Sequence, residues 1–146
     1  MQAADTRLDQ LAHSEASLPA TKQVNELTEK LAELNTDVVN AATELSDLER
    51  EVRKAEDEVD QVRKRTTKDQ QLLDSGSITS GKQLEEIQHE IASLLRRQGD
   101  LEDAQLEVME RAEASQHVVD RLQEAVANAE AERAEVQAVQ EAALAE

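Results

Sequence analysis

No cysteine, phenylalanine, tryptophan or tyrosine occurs among the 146 residues, and there are only 3 glycines and 1 proline. Without cysteine there is no disulfide and no thiolate metal site. Without aromatic side chains an interior loses its largest apolar units. Hydrophobic residues make up 38% of the chain, and 22 of them are Ala, against roughly 45–50% apolar residues in an ordinary globular domain. So little glycine and proline leaves sandwiches, barrels and doubly wound sheets without their turns. No run of about 18 apolar residues is present to cross a bilayer. The opening MQAADTRLDQ has neither the basic nor the apolar region of a signal peptide, so the cytoplasm is the default expectation. Asp and Glu number 33 against 16 Lys and Arg, a net charge of −17. That balance disfavours non-specific binding of the whole chain to nucleic acid or anionic membrane.

What is present is heptad spacing. Stepping alternately by three and four residues from Val24 visits Leu27, Leu31, Leu34, Val38, Ala41, Leu45, Leu48, Val52, Ala55, Val59, Val62, Thr66, Asp69 and Leu73, and only Thr66 and Asp69 are not apolar. A second row runs from Leu84 through Ile87, Ile91, Leu94, Gln98, Leu101, Gln105, Val108, Ala112, Ser115, Val119, Leu122, Val126 and Ala129 to Arg133 and Val136. Such rows are coiled-coil seams, and a mean step of 3.5 implies left-handed supercoiling. Between them lies Asp74-Ser75-Gly76-Ser77-Ile78-Thr79-Ser80-Gly81, the one strong break in the interior. Ser80 is placed to cap the second helix, with Gln83 completing a capping box. Two long apolar stripes on a short link pair as an antiparallel hairpin, because neither stripe is stable in water.

The expected fold is therefore all-α: a long antiparallel coiled-coil helical hairpin with a short N-terminal helix. Leu8, Leu11 and Leu18 do not share the register of Val24, and Pro19 sits at the slip, where it can begin a helix but not continue one. The expected organisation is a short N-terminal helix at 1–18, either separate or a kinked extension of the arm, packed near the hairpin base, a first arm at 19–73, a turn at 74–81 and a second arm at 82–146. Each arm would be roughly 80 Å long at ~1.5 Å per residue. Around the turn, facing residues should have numbers adding to about 157, which places Leu45 opposite Ala112. The closing EVQAVQEAALAE is strong helix-forming sequence without a stop signal, so a continuation into a further domain is expected.

The candidate functional features lie on the surface. Leu31, Leu45, Leu48, Ile87, Ile91 and Leu94 are the structural seam. Residues 50–97 hold ten basic and ten acidic residues, so the whole net charge resides in the other half. Within that neutral stretch Arg63, Lys64, Arg65 and Lys68 cluster, and Arg96 and Arg97 follow on the returning arm. These six cations are either a solvated face laced with ion pairs or a docking patch for an acidic protein surface or a nucleic-acid backbone. The lack of aromatic side chains removes base stacking from the second reading.

No motif carries reaction chemistry. Gly76–Lys82 matches the first seven positions of a phosphate-binding loop, but Gln83 replaces the magnesium-binding hydroxyl and no strand precedes it. His13, His89 and His117 are too far apart to pair at i and i+4. The carboxylates all have helix-surface positions, and two paired helices offer no pocket to shift them. No catalytic, cofactor-binding or metal residue is assigned, and an enzyme is not expected.

The stretch from Ser80 to Arg111, with Ile78-Thr79-Ser80, Leu84, Ile87, Glu90, Leu94, Arg97-Gln98, Asp100-Leu101-Glu102-Asp103 and Leu106-Glu107-Val108-Met109-Glu110, resembles the bacterial C4-type zinc ribbon domain-containing protein family. Asp5–His13 is similar to that family's opening helix. The resemblance implies a non-enzymatic adaptor whose coiled-coil hairpin contacts proteins and whose separate ribbon holds zinc through two CxxC pairs. It also implies a partner in the transcription machinery, since some members bind an RNA polymerase sigma factor or RNA. With no cysteine here, zinc is expected only in a downstream ribbon, and this chain corresponds to the hairpin. Two other classes stay open: a self-associating homodimeric coiled coil in which an opened hairpin zips with a second copy, and a nucleic-acid-binding regulator using the basic tip.

Overall fold

The structure, a computed structural model, describes the backbone of residues 2–145 and the side chains of residues 18–145. It contains two helices, α1 (Gln2–Asp74) and α2 (Gly81–Ala145), and no strand among the described residues. The all-helical hairpin expected from the heptads is what forms.

Of the two N-terminal expectations, the separate short helix needs correction. Instead of a separate short helix at 1–18, α1 runs unbroken from Gln2 through Pro19. An interior proline costs about 3 kcal/mol by removing one amide donor and crowding the preceding turn. Ending the helix there would require a second helix to nucleate afresh, and nucleation is itself unfavourable by a factor of about a thousand. Continuity wins. The register slip is nevertheless visible: Leu18 is exposed whereas Ala20, in phase with Val24, is half-buried. The side chains of Leu8, Leu11 and His13, and the packing expected for them at the hairpin base, lie outside the described residues.

The turn has a complete local logic. The Ser75 amide donates to the Gln71 carbonyl at 3.0 Å, the last bond of α1. Gly76 then takes φ +69°, the left-handed conformation that terminates helices and that glycine adopts without penalty. The Ser75 hydroxyl donates to the Leu72 carbonyl at 2.7 Å and accepts the Ser77 amide at 3.3 Å. At the start of α2 the Gln83 amide reaches the Ser80 hydroxyl at 3.5 Å, and the Leu84 amide bonds the Ser80 carbonyl at 3.0 Å. Ser80 is thus the N-cap; the Gln83 side chain does not return the bond, so only half of the expected capping box forms.

The chain divides into two compact units, residues 43–116 and residues 1–42 with 117–146. In the first, the core holds Leu48, Val59, Val62 and Ile91, with Leu45, Ile87 and Leu94 half-buried. In the second, Leu27, Leu31, Ala41, Val119 and Ala129 are buried. Every position of the first heptad row from Val24 to Leu73 is buried or half-buried, and Leu84 alone breaks the second row by being exposed. The second row also continues beyond Val136 to the half-buried Gln140 and Ala143; Gln140 donates to the Thr21 hydroxyl at 2.6 Å.

Polar seam positions are handled individually. Thr66 hides its hydroxyl by donating to the Val62 carbonyl at 2.8 Å, and Gln98 donates to Glu102 at 3.1 Å. Asp69 is different: its Oδ2 is out of solvent and has no hydrogen-bond partner. Ala112 shares a surface depression with Glu49 and Val52 of α1.

Candidate functional site

The basic residues of unit 43–116 separate into two groups with different roles. Arg63 and Arg65 point across to α2. Arg63 Nη2 meets Glu102 Oε1 at 2.8 Å, and Arg65 grips Glu90 Oε1 through Nη2 at 2.6 Å and Nε at 3.1 Å. On the same unit Arg111 Nη1 lies 3.7 Å from Glu51 Oε2. In heptad terms these residues flank the seam on either side, where opposite charges select partner and orientation. The arginines are exposed and Glu90 and Glu102 only half-buried, so solvent screens each pair and its contribution to stability is small. Their value is in fixing register. Glu102 receives hydrogen bonds from Gln98 and Arg63, which hold its carboxyl below the usual carboxylate range.

Lys64, Lys68, Arg96 and Arg97 form no ion pair among the described residues and are exposed. Lys64 and Lys68 line a depression with Arg65, Asp69 and Glu90; Arg96 and Arg97 do not line it. Of the six sequence-predicted cations, then, the structure gathers Lys64, Arg65 and Lys68 around one feature. It uses Arg63 and Arg65 as cross-helix braces and leaves Arg96 and Arg97 elsewhere on α2. Glu90 was among the acids expected from the sequence to lace this basic face, whereas Glu102 was missed as a brace. Their signal was present, since Glu90 and Glu102 occupy the positions beside the seam that face the arginines once the two helices are antiparallel.

The glycine-flanked turn is unlike a phosphate cradle: its hydroxyls bond one another and the end of α1, with the Ser75 and Ser77 hydroxyls 2.8 Å apart. Among the described residues no three His, Asp or Glu side chains converge as a ligand set for a metal ion. None of the described helices is long and apolar enough to cross a membrane.

Comparison with known proteins agrees with this architecture. The whole chain, residues 1–146, matches the family model for the CT398-like coiled coil hairpin domain. It is 40% identical over 112 residues to the uncharacterized protein Rv2229c of Mycobacterium tuberculosis H37Rv, a match covering 77% of this chain and 45% of that protein. It is 34% identical over 107 residues to the uncharacterized protein ML1638 of Mycobacterium leprae, covering 73% and 46% respectively. The chain thus spans about half the length of the curated relatives it matches. A solved structure from Mycobacterium smegmatis aligns with a TM-score of 0.76 at 35% identity, covering 97% of this chain and 57% of that one. Two heptad-bearing helices, a glycine-terminated turn and a match along the full length lead to one assignment: this chain belongs to the CT398-like coiled coil hairpin domain family.

Proposed function

We propose that the hairpin is a non-enzymatic adaptor arm that presents charged surface to a protein partner. The observation that carries this reading is the division of labour among the cations. Arg63 and Arg65 are committed to Glu102 and Glu90, whereas Lys64 and Lys68 beside them remain unpaired around an open depression. A basic surface on a chain of net charge −17 fits an acidic protein face, while the surrounding charge and the lack of aromatic side chains disfavour nucleic acid. The resemblance to zinc-ribbon proteins linked to transcription supports a sigma factor as that partner, and a zinc ribbon in the part of the longer relatives that this chain does not span.

Titrating the chain with the purified sigma factor of the same bacterium tests this. Lys64→Glu combined with Lys68→Glu should weaken binding at least roughly tenfold, about 1.4 kcal/mol, with helicity unchanged. Wild-type binding should also weaken with added salt. Equal affinity of variant and wild type, or no binding by either, would reject the reading. Lys64 and Lys68 are better targets than Arg63 and Arg65, whose replacement would also remove the cross-helix braces.

A further inference from the structure

Gly99 lies inside α2, where glycine costs about 1 kcal/mol of helix propensity relative to alanine. Its φ is not positive, Gly76 being the residue of that kind. A Cβ built on Gly99 would meet no atom within 4 Å. Neither its backbone nor its neighbours in the chain require a glycine.

Its place on the helix is informative. Gly99 belongs to a row with three- and four-residue steps: Ala92, Leu95, Gly99, Glu102, Leu106 and Met109. Each is one residue beyond the seam row of Ile91, Leu94, Gln98, Leu101, Gln105 and Val108, so this second row is turned by about 100° from the first. Leu95, Leu106 and Met109 are 53%, 58% and 44% exposed. Large apolar side chains at coiled-coil spacing, open to solvent on a face adjoining the buried seam, form a second knob-and-hole surface that α1 leaves largely uncovered, Met109 alone of the three lining a depression with it.

The charges beside this row identify the occupant. One position further round, at heptad spacing, come Lys82, His89, Arg96, Asp103 and Glu110. The N-terminal part of the flank is basic or neutral, and the C-terminal part is acidic. Laid antiparallel on a copy of itself, the flank brings Arg96 opposite the partner's Asp103 and His89 opposite the partner's Glu110. The same two-fold places Leu95 against the partner's Leu106, the small Ala92 against the partner's Met109, and Gly99 against the partner's Glu102. Glu102 is the one bulky polar group in the row and is already held by Arg63 and Gln98. A side chain at residue 99 would collide with it, so the missing Cβ has a use only in the pair.

We propose that two intact hairpins associate through this row, α2 against α2 in antiparallel orientation, as an isologous dimer with its two-fold axis between Gly99 and Glu102. The intramolecular seam stays closed, because its buried positions are not members of the new row, whose Glu102 and Met109 adjoin α1 at the edge of the seam. The proposal is independent of what Lys64 and Lys68 bind.

Sedimentation equilibrium of the 146-residue chain at micromolar concentration tests it, with far-ultraviolet circular dichroism as the folding control. Wild type should be a dimer, and Leu95→Glu with Leu106→Glu a fully helical monomer. Arg96→Glu alone and Asp103→Arg alone should each weaken the dimer at least roughly tenfold by opposing like charges. Together they should restore it, since the pair is re-formed with reversed sign. Gly99→Leu should dissociate the dimer while leaving the chain helical. A monomeric wild type, a dimer that survives Leu95→Glu with Leu106→Glu, or a reversed charge pair that fails to rescue association would each overturn the proposal.

Discussion

Leu48→Ala is expected to lower the unfolding free energy by about 2–5 kcal/mol, the range for deleting a buried leucine side chain from a core that relaxes only partly. Leu48 is 6% exposed and lies midway along the sustained heptad row of α1. A two-helix seam is one residue deep. Removing a leucine leaves a gap that no second layer can fill, and water enters from both flanks. The neighbouring Glu49→Ala, on the exposed side of the same turn, should change stability by no more than about 0.5 kcal/mol. Urea titrations at one fixed protein concentration check both, because any self-association makes apparent stability depend on concentration. Equal effects at the two positions would mean that the heptad row is not a packed seam.

The second large effect has the opposite sign. Asp69→Leu is expected to stabilise the chain by about 1–3 kcal/mol, the usual cost of leaving a buried acceptor without a partner. Asp69 stands at a seam position where heptad spacing calls for an apolar side chain, and its Oδ2 is buried without a hydrogen bond. Of the cations lining the same depression, Arg65 is committed to Glu90, and neither Lys64 nor Lys68 donates a hydrogen bond to Oδ2. Leucine would remove the unsatisfied oxygen and extend the apolar row toward Leu73. The midpoint of denaturation should rise with little change in slope. A lower midpoint would show that Asp69 is held by an interaction worth more than its burial costs.

The heptad rows were legible in the sequence because a two-helix seam imposes one strict period. Residues in phase are drawn out of solvent, Leu84 beside the turn excepted, which is why even Thr66, Gln98 and Arg133 are half-buried where the count places them. The turn was legible for a similar reason, since a left-handed helix end calls for a residue such as Gly76. Pro19 was not. Its local preference argues for a helix start, but cooperativity across the flanking residues is a sum over many positions and outweighs one unfavourable residue. The candidate site was half legible. Clustered cations can be counted in a sequence, but which of them are tied down depends on the opposite helix. Arg65 and Lys64 are adjacent in the chain, yet one braces Glu90 and the other faces outward.

α1 and α2 pack against each other within a single chain, and the absence of cysteine makes this directly testable. Arg65 and Glu90, whose side chains meet at 2.6 Å across the unit 43–116, can both be replaced by cysteine and treated with a short bis-maleimide in dilute solution. The structure predicts linkage between residues 65 and 90 in a product with the mass of one chain, about 16.2 kDa before addition of the linker. Products joined exclusively between chains, or no linkage at all, would contradict it.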